Sequence, residues 1–184
     1  LAAGPSRSAD EVIIRKVDAV GPYADVYLAG GDEPPMLVPP SEACAAVVRP
    51  EAVVRFVGRG FPGRLEDGDA RCQAVGILDL ERWRERRPRP YRPLARATAR
   101  WELVSRDGRH ALLRGRFPLA PLVGMAGAWD LVAVVPDDDA CAGVIASEEG
   151  TLEYRVTGTP AFQLSADGAR CPLRGFAQPV PPRP

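Results

Sequence analysis

The chain has 184 residues, 46% hydrophobic and 26% charged, with 20 prolines and 18 glycines, a composition that builds a core and excludes general disorder. Its longest apolar runs fall well short of the roughly 18 to 20 residues that a bilayer-spanning helix needs, so no membrane span is expected. Lys plus Arg and Asp plus Glu number 24 each, for a formal net charge of zero; no whole-molecule field draws in nucleic acid or an anionic membrane, and such a partner has to use a local patch.

Residues 1–10 read as an N-terminal extension. Leu1 is not an initiator Met, and the expectation is that it follows a removed signal or an expression junction. Residues 11–81 read as a first β domain. Glu11 to Val17 and Ala24 to Leu28 are β-rich runs joined across Val20-Gly21-Pro22, the pattern of a hairpin. Pro34, Pro35, Pro39 and Pro40 force a loop, and Ser41 is placed to N-cap a short helical turn carrying Cys44 that ends before Pro50. Strands at Ala52 to Val57 and Gln73 to Leu78 complete this half.

Residues 82–99 read as an Arg/Pro-rich linker. From 82 to 100 there are eight Arg and one Glu, so the rest of the chain carries the compensating negative charge. Residues 100–178 read as a second β domain. Trp101 to Ser105 and His110 to Phe117 flank the turn Arg106-Asp107-Gly108-Arg109, whose Asp-Gly marks a hairpin. Leu131 to Val135 is a buried strand. Thr151 to Thr157 alternates Leu152, Tyr154 and Val156 against Glu153, Arg155 and Thr157, which puts one face in the core and one in water. Phe162 to Ser165 and Leu173 to Phe176 close the half, and residues 179–184 form a Pro-rich tail.

Four cysteines, Cys44, Cys72, Cys141 and Cys171, are too widely spaced for a Cys-x-x-Cys metal or redox pair, and a single His cannot complete a zinc site. Paired disulfides in an oxidising compartment fit better, although four cysteines allow three connectivities. The flanks favour one of them. Glu42-Ala43-Cys44-Ala45-Ala46-Val47-Val48 resembles Asp139-Ala140-Cys141-Ala142-Gly143-Val144-Ile145, and Asp67-Gly68-Asp69-Ala70-Arg71-Cys72 resembles Asp167-Gly168-Ala169-Arg170-Cys171. The separations, 28 and 30 residues, also agree. An internal duplication accounts for all of this and predicts Cys44–Cys72 and Cys141–Cys171. A half of about 90 residues buries a modest fraction of its surface, which is the physical reason for a staple.

The local anomaly is Arg82, Trp83, Arg84, Arg86, Arg87, Arg89, Tyr91 and Arg92, where guanidiniums interleave with aromatic rings. Arg pairs phosphate or sulfate bidentately and stacks on rings, as a polyanion or acidic-partner site requires; an open linker stiffened by proline and charge repulsion is the plainer reading. Asp137-Asp138-Asp139 lacks the alternating acids of an EF-hand and reads as a turn or helix cap. His110 has no nucleophile motif beside it. Glu51, Glu148 and Glu149 read as exposed turn residues, Trp101 and Trp129 as core, and Trp83 as the surface aromatic. No Walker, Rossmann, nucleophile-elbow or zincin motif is present.

The sequence therefore predicts a mainly β protein of two similar small β-barrel or sandwich-like halves with short helical turns and one disulfide each, an OB-like barrel being one such architecture. The function expected is a noncatalytic extracytoplasmic binding or assembly module of a bacterial cell envelope or secreted protein, periplasmic or secreted, contacting a protein partner. The alternatives are a polyanion-binding protein using the Arg-rich linker, or an enzyme with acidic residues in an inter-domain cleft. No cofactor or metal is expected, and no catalytic residue is nominated.

Overall fold

The computed structural model describes residues 10–29, 35–58, 63–80, 94–118, 127–155 and 161–180. The protein is mainly β, and two compact units divide it, Leu1–Gly76 and Ile77–Pro184.

In the first unit β1 (Glu11–Val20) and β2 (Tyr23–Ala29) form the expected hairpin, with Val20 paired to Tyr23 across Gly21-Pro22. Gly21 has φ of 56°, the left-handed first position that a II′ turn requires and that a side chain would strain. β3 (Met36–Val38) pairs with β2, and β4 (Val53–Val57) pairs with the other edge of β1. β5 (Arg64–Asp67) and β6 (Ala70–Gln73) extend the sheet, giving the order β3-β2-β1-β4-β5-β6. Between β3 and β4 lies α1 (Glu42–Val47), whose N-cap Ser41 accepts a hydrogen bond from the Cys44 N–H at 3.1 Å. Six residues cannot hold a helix alone; α1 is fixed by burying Cys44 and Val47 and by the Cys44–Cys72 disulfide to β6. The core is Ile14, Val26, Met36, Val38, Val47, Val54 and Leu65 around that disulfide. A two-residue strand, β7 (Gly76–Ile77), spans the boundary between the units.

In the second unit β8 (Leu94–Arg106), β9 (His110–Pro118) and β10 (Ala128–Pro136) form an antiparallel meander. α2 (Ala142–Ala146) follows, and then β11 (Glu149–Arg155), β12 (Ala161–Ala166) and β13 (Ala169–Pro172). β11 pairs with β8, so the order is β13-β12-β11-β8-β9-β10, with β14 (Gly175–Ala177) on the far side of β10. The second disulfide, Cys141–Cys171, ties the start of α2 to β13. The core gathers Trp101, Phe117, Phe162 and Phe176 with aliphatic neighbours. The Trp101 and Phe117 rings lie 6.4 Å apart and nearly parallel, and Phe117 meets Phe176 edge-on at 5.6 Å. Trp101 lies opposite Gly115 in register, and its ring is packed on Gly150. A methyl group at Gly115 would run into the Arg100 carbonyl, so that glycine admits the backbone of β8, while Gly150 makes room for the indole.

Both expected disulfide pairings are formed, and no cysteine is free. The barrel expectation fares differently, because the strand pairings do not close into a ring. Several strands also escaped the sequence reading. β3 forms at Met36–Val38, where Pro34, Pro35, Pro39 and Pro40 were expected to force a loop, because these three residues pair with β2, and β6 at Ala70–Gln73 precedes the strand expected from Gln73. β5 carries Arg64, Glu66 and Asp67 around a single buried Leu65, and β13 places a strand at Ala169–Pro172 where a closing strand was expected only from Leu173. The two Asp-Gly turns differ in register: Asp67 is still paired to Ala70 with Gly68-Asp69 as the loop, whereas Asp167-Gly168 is itself the loop between Ala166 and Ala169. Asp167 and Gly168 both have positive φ, 50° and 83°, the I′ pattern, while of the other pair only Gly68 does.

Candidate functional site

The eight residues of the Arg-rich segment, Arg82, Trp83, Arg84, Arg86, Arg87, Arg89, Tyr91 and Arg92, lie outside the described residues. β8 already begins at Leu94, and Arg96 and Arg100 are strand residues with assigned partners. Arg96 holds Glu153 at 3.5 Å and Arg100 holds Glu149 at 3.2 Å.

Those two carboxylates rim an open hollow of about 390 Å³ over β11, β12 and β13, whose lining includes Thr151, Ser165, Asp167 and Arg170. Glu153 is 8% exposed and is held by Arg96 and by the Gln163 side-chain amide at 3.1 Å. It was expected on a wet face; a guanidinium and an amide supply the partners that let a carboxylate sit in that position. Glu149 opens β11 rather than lying in a turn. The two glutamates are four residues apart on one strand face, about 13 Å by strand rise, which is beyond the roughly 5 to 9.5 Å that acid–base carboxylate pairs use.

The triple aspartate is divided among structural tasks. Asp137, 6% exposed, receives both ends of the Arg106 guanidinium, at 2.7 and 3.3 Å, and the Gly108 N–H at 3.0 Å. The Arg106 hydrogen bonds hold its carboxyl below the usual carboxylate range. Asp138 accepts from the Cys141 N–H at 3.0 Å, the same relation that Ser41 has to Cys44. Asp107, at the β8–β9 turn, accepts from the His110 and Arg109 N–H groups, and the His110 bond in particular lowers its pKa. His110 is thus a strand-end residue whose backbone closes a turn. Among the described residues no group of three or more His, Cys, Asp or Glu is arranged to hold a metal ion.

Trp101 is core, as expected, and its indole N–H donates to the Val144 carbonyl at 3.0 Å. Trp129 is not: it is 45% exposed. Its cross-strand neighbour Phe117 takes the buried place, while Trp129 stands one residue from the hairpin end. Asp130 beside it is bridged by Arg114 at 2.9 Å, which lowers its pKa.

The outward row across the second sheet escaped the sequence reading altogether. Glu149 faces Arg100, Arg100 faces Arg116, and Arg116 faces Asp130. Strand alternation alone could have placed these residues outward; their cross-strand partners depend on register, which a single sequence does not print. No protein-family model, curated protein or solved structure matches the chain. Among the described residues no helix is long and apolar enough to cross a membrane.

Proposed function

We propose that this chain is a noncatalytic extracytoplasmic module of a bacterial envelope or secreted protein, in which two copies of one small barrel-like fold present their loops to a protein partner. The observation that carries the reading is one wiring that occurs twice. Each unit runs as a three-stranded meander, a short helix and three further strands, and the fourth strand pairs with the first in both. The Ala74 N–H donates to the Gly63 carbonyl and the Leu173 N–H to that of Phe162; the Val75 N–H donates to Leu37 and the Arg174 N–H to Val134. Donors and acceptors in each matched pair are displaced by the same 97 or 99 residues that separate Cys44 from Cys141 and Cys72 from Cys171. Turn chemistry arising by chance would not reproduce long-range carbonyl choices.

The barrel-like part of the reading rests on how the last strand bends. After β13 leaves β12, the chain turns at Leu173-Arg174 and β14 pairs with β10, the third strand of the unit. A helix between the third and fourth strands and a first strand shared by two ladders are OB-like traits. Two disulfides per chain support an oxidising compartment. The shared elements are caps, staples and wiring, whereas outward residues differ: Arg55 in the first unit pairs with Glu66, while the matched β11–β12 ladder of the second sets Thr151 against Ser165. Divergence at exposed positions favours recognition as what the two copies do.

The test is a pull-down with the oxidised chain as bait at micromolar concentration against an envelope extract. A partner retained saturably, and released when the disulfides are reduced, is the expected result. Recovery of none would sink the proposal.

A further inference from the structure

We propose that the outward face of β11, β12 and β13 binds an acidic saccharide, a uronic-acid unit of a glycan, with the sugar carboxylate on Arg170. The register sets four side chains in one row across the second sheet. Thr98 of β8 lies opposite Thr151 of β11, Thr151 opposite Ser165 of β12, and Ser165 opposite Arg170 of β13. Their chain neighbours Ala99, Leu152, Leu164 and Cys171 are buried, so strand alternation turns all four outward. Among the described residues none of the four side chains has a hydrogen-bond or ion-pair partner.

The first unit carries the same row in different chemistry. Arg71 lies opposite Glu66, Glu66 opposite Arg55, and Arg55 opposite Glu11. Arg71 and Glu66 precede Arg170 and Ser165 by the 99 residues that also separate Cys72 from Cys171. There the charges satisfy one another across the strands: Glu66 holds Arg71 at 3.7 Å and Arg55 at 3.8 Å. In the second unit the arginine at the sheet edge is present, but Ser165 stands where its carboxylate would be and Thr151 where the next cation would be. Arg170 is thus an exposed guanidinium with no internal counter-ion, beside a line of hydroxyls. This comparison rests on register and does not depend on the protein partner proposed above.

The hollow on this face selects among anions. Thr151, Ser165 and Arg170 line its 390 Å³ together with Glu149, Glu153 and Asp167, a volume within the range of about 300 to 1,000 Å³ usual for small-ligand sites. A guanidinium pairs carboxylate, phosphate or sulfate. Phosphate, however, brings acceptors to a hollow that already holds three carboxylates, which can only accept. Glu153 has Arg96 and Gln163, and Glu149 has Arg100, whereas the Asp167 carboxylate has the Ser147 hydroxyl at 3.4 Å and no cation. A saccharide supplies hydroxyl donors for Asp167 and Glu149 and partners of either sense for Thr151 and Ser165. A uronic acid adds the one carboxylate that Arg170 lacks, which a neutral sugar does not.

The experiment is isothermal titration calorimetry of the oxidised full chain with tri-galacturonate, with the same trimer methyl-esterified, and with inorganic phosphate. Saturable binding of the acid trimer is expected, with the ester weaker by about tenfold or more, the worth of one charge-assisted pair. Arg170→Gln should bring the acid trimer down to the level of the ester. Ser165→Glu gives Arg170 the partner that Arg71 has in the first unit and should weaken the acid trimer by about tenfold as well. Arg71→Gln, at the matched place, should leave binding unchanged. Unaltered far-ultraviolet circular dichroism shows that each variant is folded. Absence of saturable binding by the acid trimer overturns the proposal, as does phosphate binding as tightly as the trimer. So does affinity for the trimer that survives Arg170→Gln, whatever Ser165→Glu does, since the carboxylate would then lie on another cation.

Discussion

Each disulfide stands between a helix too short to persist alone and the edge of its sheet, so removing one tests what holds that corner. In the chain-entropy description, opening the 30-residue separation of Cys141–Cys171 costs about 3 to 4 kcal/mol. The 28-residue separation of Cys44–Cys72 differs from it by less than about 0.1 kcal/mol, because the dependence on loop length is logarithmic. Loop entropy therefore predicts the same loss for Cys44→Ala with Cys72→Ala as for Cys141→Ala with Cys171→Ala. A difference between the two must come from the helices: α1 is anchored by Val47 as well as Cys44, and α2 by Val144 and Ile145. The assay is urea unfolding followed by circular dichroism and tryptophan fluorescence, which separate a global transition from one confined to the Trp101 core. For a unit of this size, a loss of about 3 kcal/mol lowers the melting temperature by at least about 10 °C. Losses below about 1 kcal/mol for both pairs would refute the view that the staples support these corners.

Trp101→Phe keeps most of the ring but leaves the Val144 carbonyl without the indole donor; a loss of about 1 to 2 kcal/mol in urea unfolding is expected. Gly115→Ala drives a methyl into the Arg100 carbonyl and the Trp101 backbone, so it should cost about 1 to 3 kcal/mol or prevent folding. Ser41→Ala removes the side-chain acceptor of the Cys44 N–H and should cost about 1 kcal/mol, whereas Asp138→Ala leaves the Cys141 N–H the Asp138 carbonyl at 3.2 Å and should cost less, measured the same way. The carboxyls of Asp107, Asp130 and Asp137 are held below their ordinary range by hydrogen bonds from His110, Arg114 and Arg106 respectively. A group whose folded pKa is depressed stabilises above its unfolded pKa of about 3.9 and loses that contribution as pH falls through the folded value. The urea midpoint should thus drop below about pH 4, and by less in Asp107→Asn than in the parent chain.

What a sequence shows of a β protein depends on whether a residue's neighbour in space is also its neighbour in the chain. Hairpins qualify, which is why Gly21-Pro22 and Asp107-Gly108 were legible as turns, and why Ser41 was legible as a cap three residues before Cys44. Each is a local bond. The disulfide pairing was legible for a different reason: two flanking sequences resembled each other, so one half of the chain served as an alignment for the other. β5 and β13 were not legible, since Arg64-Leu65-Glu66-Asp67 and Ala169-Arg170-Cys171-Pro172 each bury one side chain and take their strand character from the ladder beside them. Trp129 was misplaced because alternation assigns a face but does not say where along a strand the core ends.

The same distinction separates the parts of the molecule that carry function from those that carry the fold. On the proposed duplication, cysteines, caps and carbonyl partners recur at a fixed displacement because a core admits few substitutions. The β2–β3 and β9–β10 connections follow the second strand of their units and share only Gly and Pro: the first runs from Ala29 to Met36 with Asp and Glu besides, the second from Pro118 to Ala128 with Leu, Ala, Val and Met, so connections diverge where caps and staples do not.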